Sequence, residues 1–155
     1  MRGRPKNGHA LPMVPGEGNV ALYCRFVDQL INNRNLAVID TMVAEDFVEH
    51  GGLPGFPAGR DGLKQLFAAV LGGFPDMRAE VEDSMAQGDK VMLRMTWHGT
   101  QTRPFLFLPP SDKEATFGVI DIVRVVDGRL VEHWGITDQL SAFQQLGAIP
   151  VPAFQ

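Results

Sequence analysis

The chain has 155 residues, of which 45% are hydrophobic and 21% charged, with a formal net charge of −4 and a pI near 5.5. Those values suit one soluble globular domain with a real core, and they give no electrostatic case for a nucleic-acid or membrane partner. The lone cysteine, Cys24, excludes an intrachain disulfide and a cysteine-cluster metal site. No apolar run reaches the length of a membrane span. The N-terminus is charged but lacks the apolar stretch of a secretory signal, so the expected location is cytoplasmic.

Residues 1–18 carry Pro5, Pro12, Pro15 and four glycines and read as a flexible arm. A single domain is expected over 19–150, with a short tail at 151–155. Asn19 can cap a first helix from about Val20 to Asn32, with Leu22, Phe26, Val27, Leu30 and Ile31 on one face. The run Asn32-Asn33-Arg34-Asn35 breaks it. Leu36 to Val43 reads as a second short helix, and Asp46 to His50 as a short strand before a Gly/Pro loop, Gly51 to Gly59. Asp61 opens a third helix, Gly62 to Leu71, whose apolar face holds Leu63, Leu66, Phe67 and Val70.

Strands follow. Met77 to Ala86 alternates with Met77, Ala79, Val81, Asp83 and Met85 on one face. Gln87-Gly88-Asp89 turns the chain into a long strand, Lys90 to Thr100. Beyond a proline-bounded loop, Thr102 to Pro110, lie strands Lys113 to Val126 and Arg129 to Thr137. Asp138 to Leu146 reads as a terminal helix ended by Gly147. Helices first and antiparallel strands after give an α+β pattern, in which helices cover one face of a curved sheet and close a cavity.

The last two strands flank Asp127-Gly128, a dipeptide that favours positive φ and a two-residue turn. Regular pairing around that turn sets Val125 opposite Leu130, Val123 opposite Glu132, Asp121 opposite Trp134 and Val119 opposite Ile136. Continued pairing sets Phe117 opposite Asp138. One face then carries Phe117, Val119, Asp121, Val123, Glu132, Trp134, Ile136 and Asp138, and His133 turns away. An apolar wall holding isolated acids suits proton transfer on a small organic molecule.

At these residues the chain resembles the SnoaL-like polyketide cyclase family of the nuclear-transport-factor-2-like superfamily. The resemblance runs from about Val20 to Pro150. It is carried by Asp46-Phe47-Val48-Glu49-His50, Gly59-Arg60-Asp61-Gly62-Leu63-Lys64, Phe74-Pro75-Asp76, and Gly88-Asp89-Lys90-Val91 leading to Trp97-His98-Gly99-Thr100. It continues through Ile120-Asp121-Ile122-Val123-Arg124 and Asp127-Gly128-Arg129-Leu130-Val131-Glu132-His133-Trp134, with Asp138 and Gln145-Leu146-Gly147 behind. The resemblance implies a cone-shaped α+β barrel around a hydrophobic pocket, a homodimer, and aldol cyclisation of a polyketide ester without metal or cofactor. It also implies a pocket Asp as general acid/base, carried by motif position to Asp138. The chain departs from the family's Gly-Thr-His pattern with Gly99-Thr100-Gln101.

Two readings stand side by side for each candidate. Asp138 is either the acid/base or the N-cap of the terminal helix. Asp121, mid-strand between Ile120 and Ile122, either lines the pocket or pairs with an arginine such as Arg94 or Arg124. His50 either serves the site or bonds to backbone. One of Trp97 and His98 faces the cavity, and period two does not say which. Phe117, Val119, Trp134 and Ile136 complete the expected substrate-binding wall. The four histidines lack metal-ligand spacing, so no metal is expected. The expected partner is a hydrophobic small molecule. The alternatives are a binding module without catalysis, or another acid/base enzyme such as an isomerase, dehydratase or epoxide hydrolase.

Overall fold

The computed structural model describes residues 16–153. The arm expected over 1–18 therefore falls almost wholly outside the described residues, as do the last two residues of the expected tail. Helix α1 spans Glu17–Val27 and runs on into a π-helical turn, Asp28–Asn32. It begins earlier than expected: Gly16, at φ 100, stands at the N-cap, and Asn19 lies inside the helix. Its apolar face buries Tyr23, Phe26, Val27, Leu30 and Ile31. Asn32 ends the helix by pairing with the backbone of Ala79, donating from Nδ2 to the carbonyl at 3.1 Å and accepting from the N–H at 2.9 Å. That amide pairing docks the helix end on the sheet.

Helix α2 (Ala37–Met42) leads directly into strand β1 (Val43–Glu49), and α3 spans Gly59–Gly73. Ala58, not Asp61, stands at the N-cap of α3. The preceding loop presses on this helix so closely that a Cβ on Gly62 would lie 1.6 Å from the Pro57 carbonyl oxygen. Strands β2 (Arg78–Gln87), β3 (Lys90–Thr100), β4 (Glu114–Val126) and β5 (Arg129–Thr137) follow, and α4 (Gln139–Gln145) ends the fold.

The five strands form a curved sheet in the order β1-β5-β4-β3-β2. The four later strands pair antiparallel, while β1 joins the edge parallel to β5. The core lies between the helices and the inner face of the sheet, where Ile39, Val43, Val91, Leu93, Met95, Val123 and Leu130 are almost fully buried. Burying each such side chain contributes roughly 1.5–3 kcal/mol.

Two bulges correct the expected faces. The turn at Asp127-Gly128 forms as expected, with φ 49 and 73, and sets Val126 against Arg129 and Val125 against Leu130. The next pair is Arg124 with Glu132, so Val131 is an extra residue on β5. From there every partner slips by one: Val123 meets His133, Ile122 meets Trp134, Asp121 meets Gly135 and Ile120 meets Ile136. A one-residue slip exchanges the two faces of a strand. His133, Gly135 and Thr137 therefore turn inward, and Glu132, Trp134 and Ile136 turn outward. In β2 a register shift between Val81 and Asp83 moves Asp83 and Met85 off the face of Ala79.

The bulge yields a direct test. Deleting Val131 removes the extra residue and leaves the partners beyond it unchanged, with His133 still opposite Val123 and facing inward. We expect the deletion variant to keep a cooperative thermal transition by circular dichroism; loss of that transition would contradict this account of the register.

Candidate active site

The cavity between helices and sheet has a volume of about 180 Å³. Its walls are mostly aromatic and aliphatic. Helix α3 contributes Leu63, Leu66, Phe67 and Val70, the face expected from its periodicity, and β3 and β4 contribute Trp97, Phe117 and Val119. The loop after β1 closes over it with Gly51, Gly52 and Leu53.

Into this apolar space the sheet and helix α1 place a chain of four polar side chains. Asp121 is only 8% exposed. Its Oδ2 accepts a hydrogen bond from the Tyr23 hydroxyl at 3.0 Å, and its Oδ1 lies 3.1 Å from His133 Nε2. The other ring nitrogen, Nδ1, lies 2.8 and 2.7 Å from the two carboxylate oxygens of Glu49. Glu49 Oε1 also accepts from the Gly51 backbone N–H at 2.9 Å. The packing leaves no slack: a Cβ on Gly135 would lie 2.7 Å from both Asp121 Oδ1 and His133 Cε1.

The charges follow from these contacts. Burial works against a charged imidazole at His133, but the hydrogen bonds to Asp121 and Glu49, with their negative charges, outweigh it and raise its pKa to about 9. Burial pushes the Glu49 carboxyl up, yet the bond and charge of His133 and the Gly51 N–H bring it below its ordinary value. Burial, reinforced by the adjacent Asp121 charge and hydrogen bond, holds the Tyr23 hydroxyl well above its ordinary pKa. The contacts themselves describe two accepting carboxylates, one imidazolium donating from both nitrogens and one neutral phenol that donates.

The expected site residues divide. Asp121, Phe117, Val119 and Trp97 line the cavity, and Trp97 rather than His98 faces inward. His98 sits on the outer face of β3, 3.8 Å from Glu80. Asp138 is exposed and caps α4, its Oδ1 accepting from the Ser141 N–H at 3.1 Å. It does not line the cavity, because the bulge ends β5 at Thr137 and leaves Asp138 to the helix start. Trp134 and Ile136 lie outside for the same reason. His50 also lies outside: β1 alternation turns Glu49 inward and His50 outward, where its ring stacks on Trp134 at 4.8 Å and bonds to Glu132 at 2.8 Å. Lys90 covers the same indole at 4.6 Å. Gln101, in place of the family histidine, is fully buried and donates to loop carbonyls, including that of Pro109 at 3.0 Å. Among the described residues no group of three or more His, Cys, Asp or Glu is arranged to hold a metal ion.

Tyr23, Glu49, His133 and Gly135 went unrecognised in the sequence. Tyr23 lies three residues before Phe26 on the buried helical face, and Glu49 shares parity with Phe47, so both had a periodic signal. His133 had none without the bulge.

The model of the SnoaL-like polyketide cyclase family matches residues 21–146. The chain belongs to that family. Solved structures agree with this membership. The chain is 33% identical to a proposed polyketide cyclase from Bacillus cereus, with a TM-score of 0.72 over 84% of this chain and 80% of that one. It is 30% identical to IdmH of Streptomyces antibioticus, itself a proposed polyketide cyclase, with a TM-score of 0.72 over 83% and 97%. TsrD of Streptomyces laurentii is 26% identical, with a TM-score of 0.78 over 88% and 100%. No curated protein sequence is significantly similar to the chain. Among the described residues of this SnoaL-like chain no helix is long and apolar enough to cross a membrane.

The His133 cluster predicts how stability depends on pH. A pKa raised from 6.5 to about 9 on folding stabilises the fold fully below pH 6.5; the contribution fades as pH rises and is gone above about 9. The amount is on the order of 3 kcal/mol. Urea unfolding at pH 6 and pH 9.5 should show that loss in the natural chain and only a small part of it in His133→Gln.

Proposed function

We propose that this protein is a cofactor-free polyketide cyclase that closes a ring by intramolecular aldol addition, with Asp121 as its general acid/base. The observation that carries the reading is a buried carboxylate, held by an imidazolium and a phenol, in the wall of a mostly apolar cavity, in a chain of this family. Asp121 removes a proton from the carbon alpha to a carbonyl. The resulting enolate carbon attacks a second carbonyl of the same substrate, and a carbon–carbon bond forms. The new alkoxide takes the proton back from the Asp121 carboxyl. Atoms and charge balance, and nothing is oxidised or reduced. Tyr23 and His133 hold the carboxylate in place, while the aromatic walls fold the substrate and exclude water. The earlier assignment of this role to Asp138 is replaced, since that carboxylate is engaged in capping and exposed to solvent.

The test is Asp121→Asn, assayed with an aromatic β-keto methyl ester bearing a second ketone on a side arm. We expect turnover to fall about a thousandfold, with little change in KM and an intact circular dichroism spectrum. Asp138→Asn should retain most of the activity. Undiminished turnover in Asp121→Asn would sink the reading.

The reading includes a cytoplasmic homodimer. The cytoplasmic part rests on the sequence alone. For the dimer, the support is the outer sheet face. Met85, Met92, Ile122 and Trp134 lie opposite one another across four strands, and Ile120 stands opposite Ile136 beside them. Met85 is 62% and Ile136 76% exposed. A second copy related by a two-fold axis would bring the same patch to meet this one and cover it. Sedimentation should give twice the 17.0 kDa chain mass, and Ile122→Glu with Ile136→Glu should return it to one.

A further inference from the structure

We propose that Glu49 is a positioning residue of this site: it grips His133 by Nδ1, so that the ring presents its Nε2–H to Asp121 and stays charged throughout the reaction. The inference rests on Asp121 being the acid/base.

The geometry forces the ring's state. A carboxylate only accepts hydrogen bonds, and a neutral imidazole has a single N–H. His133 meets carboxylate oxygens on both sides, at 2.7 Å from Nδ1 and 3.1 Å from Nε2. Both contacts are satisfied only if both nitrogens donate, which makes the ring an imidazolium. The titratable groups that face it are Glu49 from β1 and Asp121 from β4, with Tyr23 of α1 reached through Asp121.

Glu49 is itself fixed. The parallel pairing of β1 with β5 sets it beside His133 in register, and the His50 N–H bonds to the His133 carbonyl at 2.9 Å. The Gly51 N–H anchors Oε1, and a Cβ on Gly51 would lie 2.9 Å from the Gly135 carbonyl oxygen. Ring, carboxylate and glycines leave no room for His133 to turn.

The consequence is chemical. Once Asp121 has taken the substrate's α-proton, a neutral His133 would be the stronger base beside it and would draw that proton away. An imidazolium has no site left to accept it. Glu49 therefore keeps the proton on Asp121, where the alkoxide can recover it.

The experiment follows the His133 ring by NMR titration in the natural chain, Glu49→Gln and Glu49→Asp, alongside pH–rate profiles with the β-keto methyl ester. His133 should titrate near 9 in the natural chain and at about 8 or below in Glu49→Gln, with Glu49→Asp between them. The high-pH limb of the rate profile should move down with it, and kcat should fall while KM holds. A His133 midpoint unmoved in Glu49→Gln overturns the proposal, as does a moved midpoint with an unchanged rate profile. If Glu49→Gln does not fold, Glu49→Asp carries both readouts. A natural chain that never turns the ester over, with the ring midpoint still moved by Glu49→Gln, overturns the acid/base reading of Asp121 and leaves Glu49's hold on the ring standing.

Discussion

An ionised aspartate inside an apolar cavity costs several kcal/mol unless a partner compensates it. In this protein the partner is His133, itself shared with Glu49, and much of the architecture serves that three-way contact. The parallel edge strand brings in Glu49, helix α1 brings in Tyr23, and the two glycines at 51 and 135 let backbone and side chains close to contact distance. The negative charges exceed the positive by one. Among the described residues the rest of the cavity wall is mostly aromatic and aliphatic, so the cluster faces an apolar space.

The outer face of the same sheet handles charge in a different way. Asp89, Arg124, Glu132 and His50 form a ladder at 2.8 Å spacings, with the Trp134 indole between His50 and Lys90. These groups are partly in water, where such pairs contribute little to stability. They nonetheless fix the orientation of the strand that carries His133 on its other side. The inner and outer clusters are thus alternate residues of β5 and of the end of β1.

Much of this fold was legible in the sequence because its signals are local. Apolar periodicity marked the inner faces of α1 and α3, Asp127-Gly128 marked the hairpin, and period two marked Phe117, Val119, Asp121 and Val123 as one inward set. The site was legible only on the β4 side. An extra residue at Val131 carries no compositional mark, since valine is as ordinary in a bulge as in a regular strand. One such residue was enough to exchange Trp134 for His133 at the cavity wall. Asp138 shows the converse: a carboxylate before a helix start satisfies both a capping and a catalytic reading, and only the end point of β5 decides between them.

The contact between Glu49 and His133 joins residues 84 positions apart, across a parallel edge that no tight turn can nucleate. The hairpins of β2 to β5 are local by comparison and cost far less loop entropy to close. Strand β1 is therefore the strand whose pairing carries the largest loop-closure cost in the sheet. The imidazolium owes its second carboxylate to that pairing, so the site is complete only where the costliest edge of the sheet is closed.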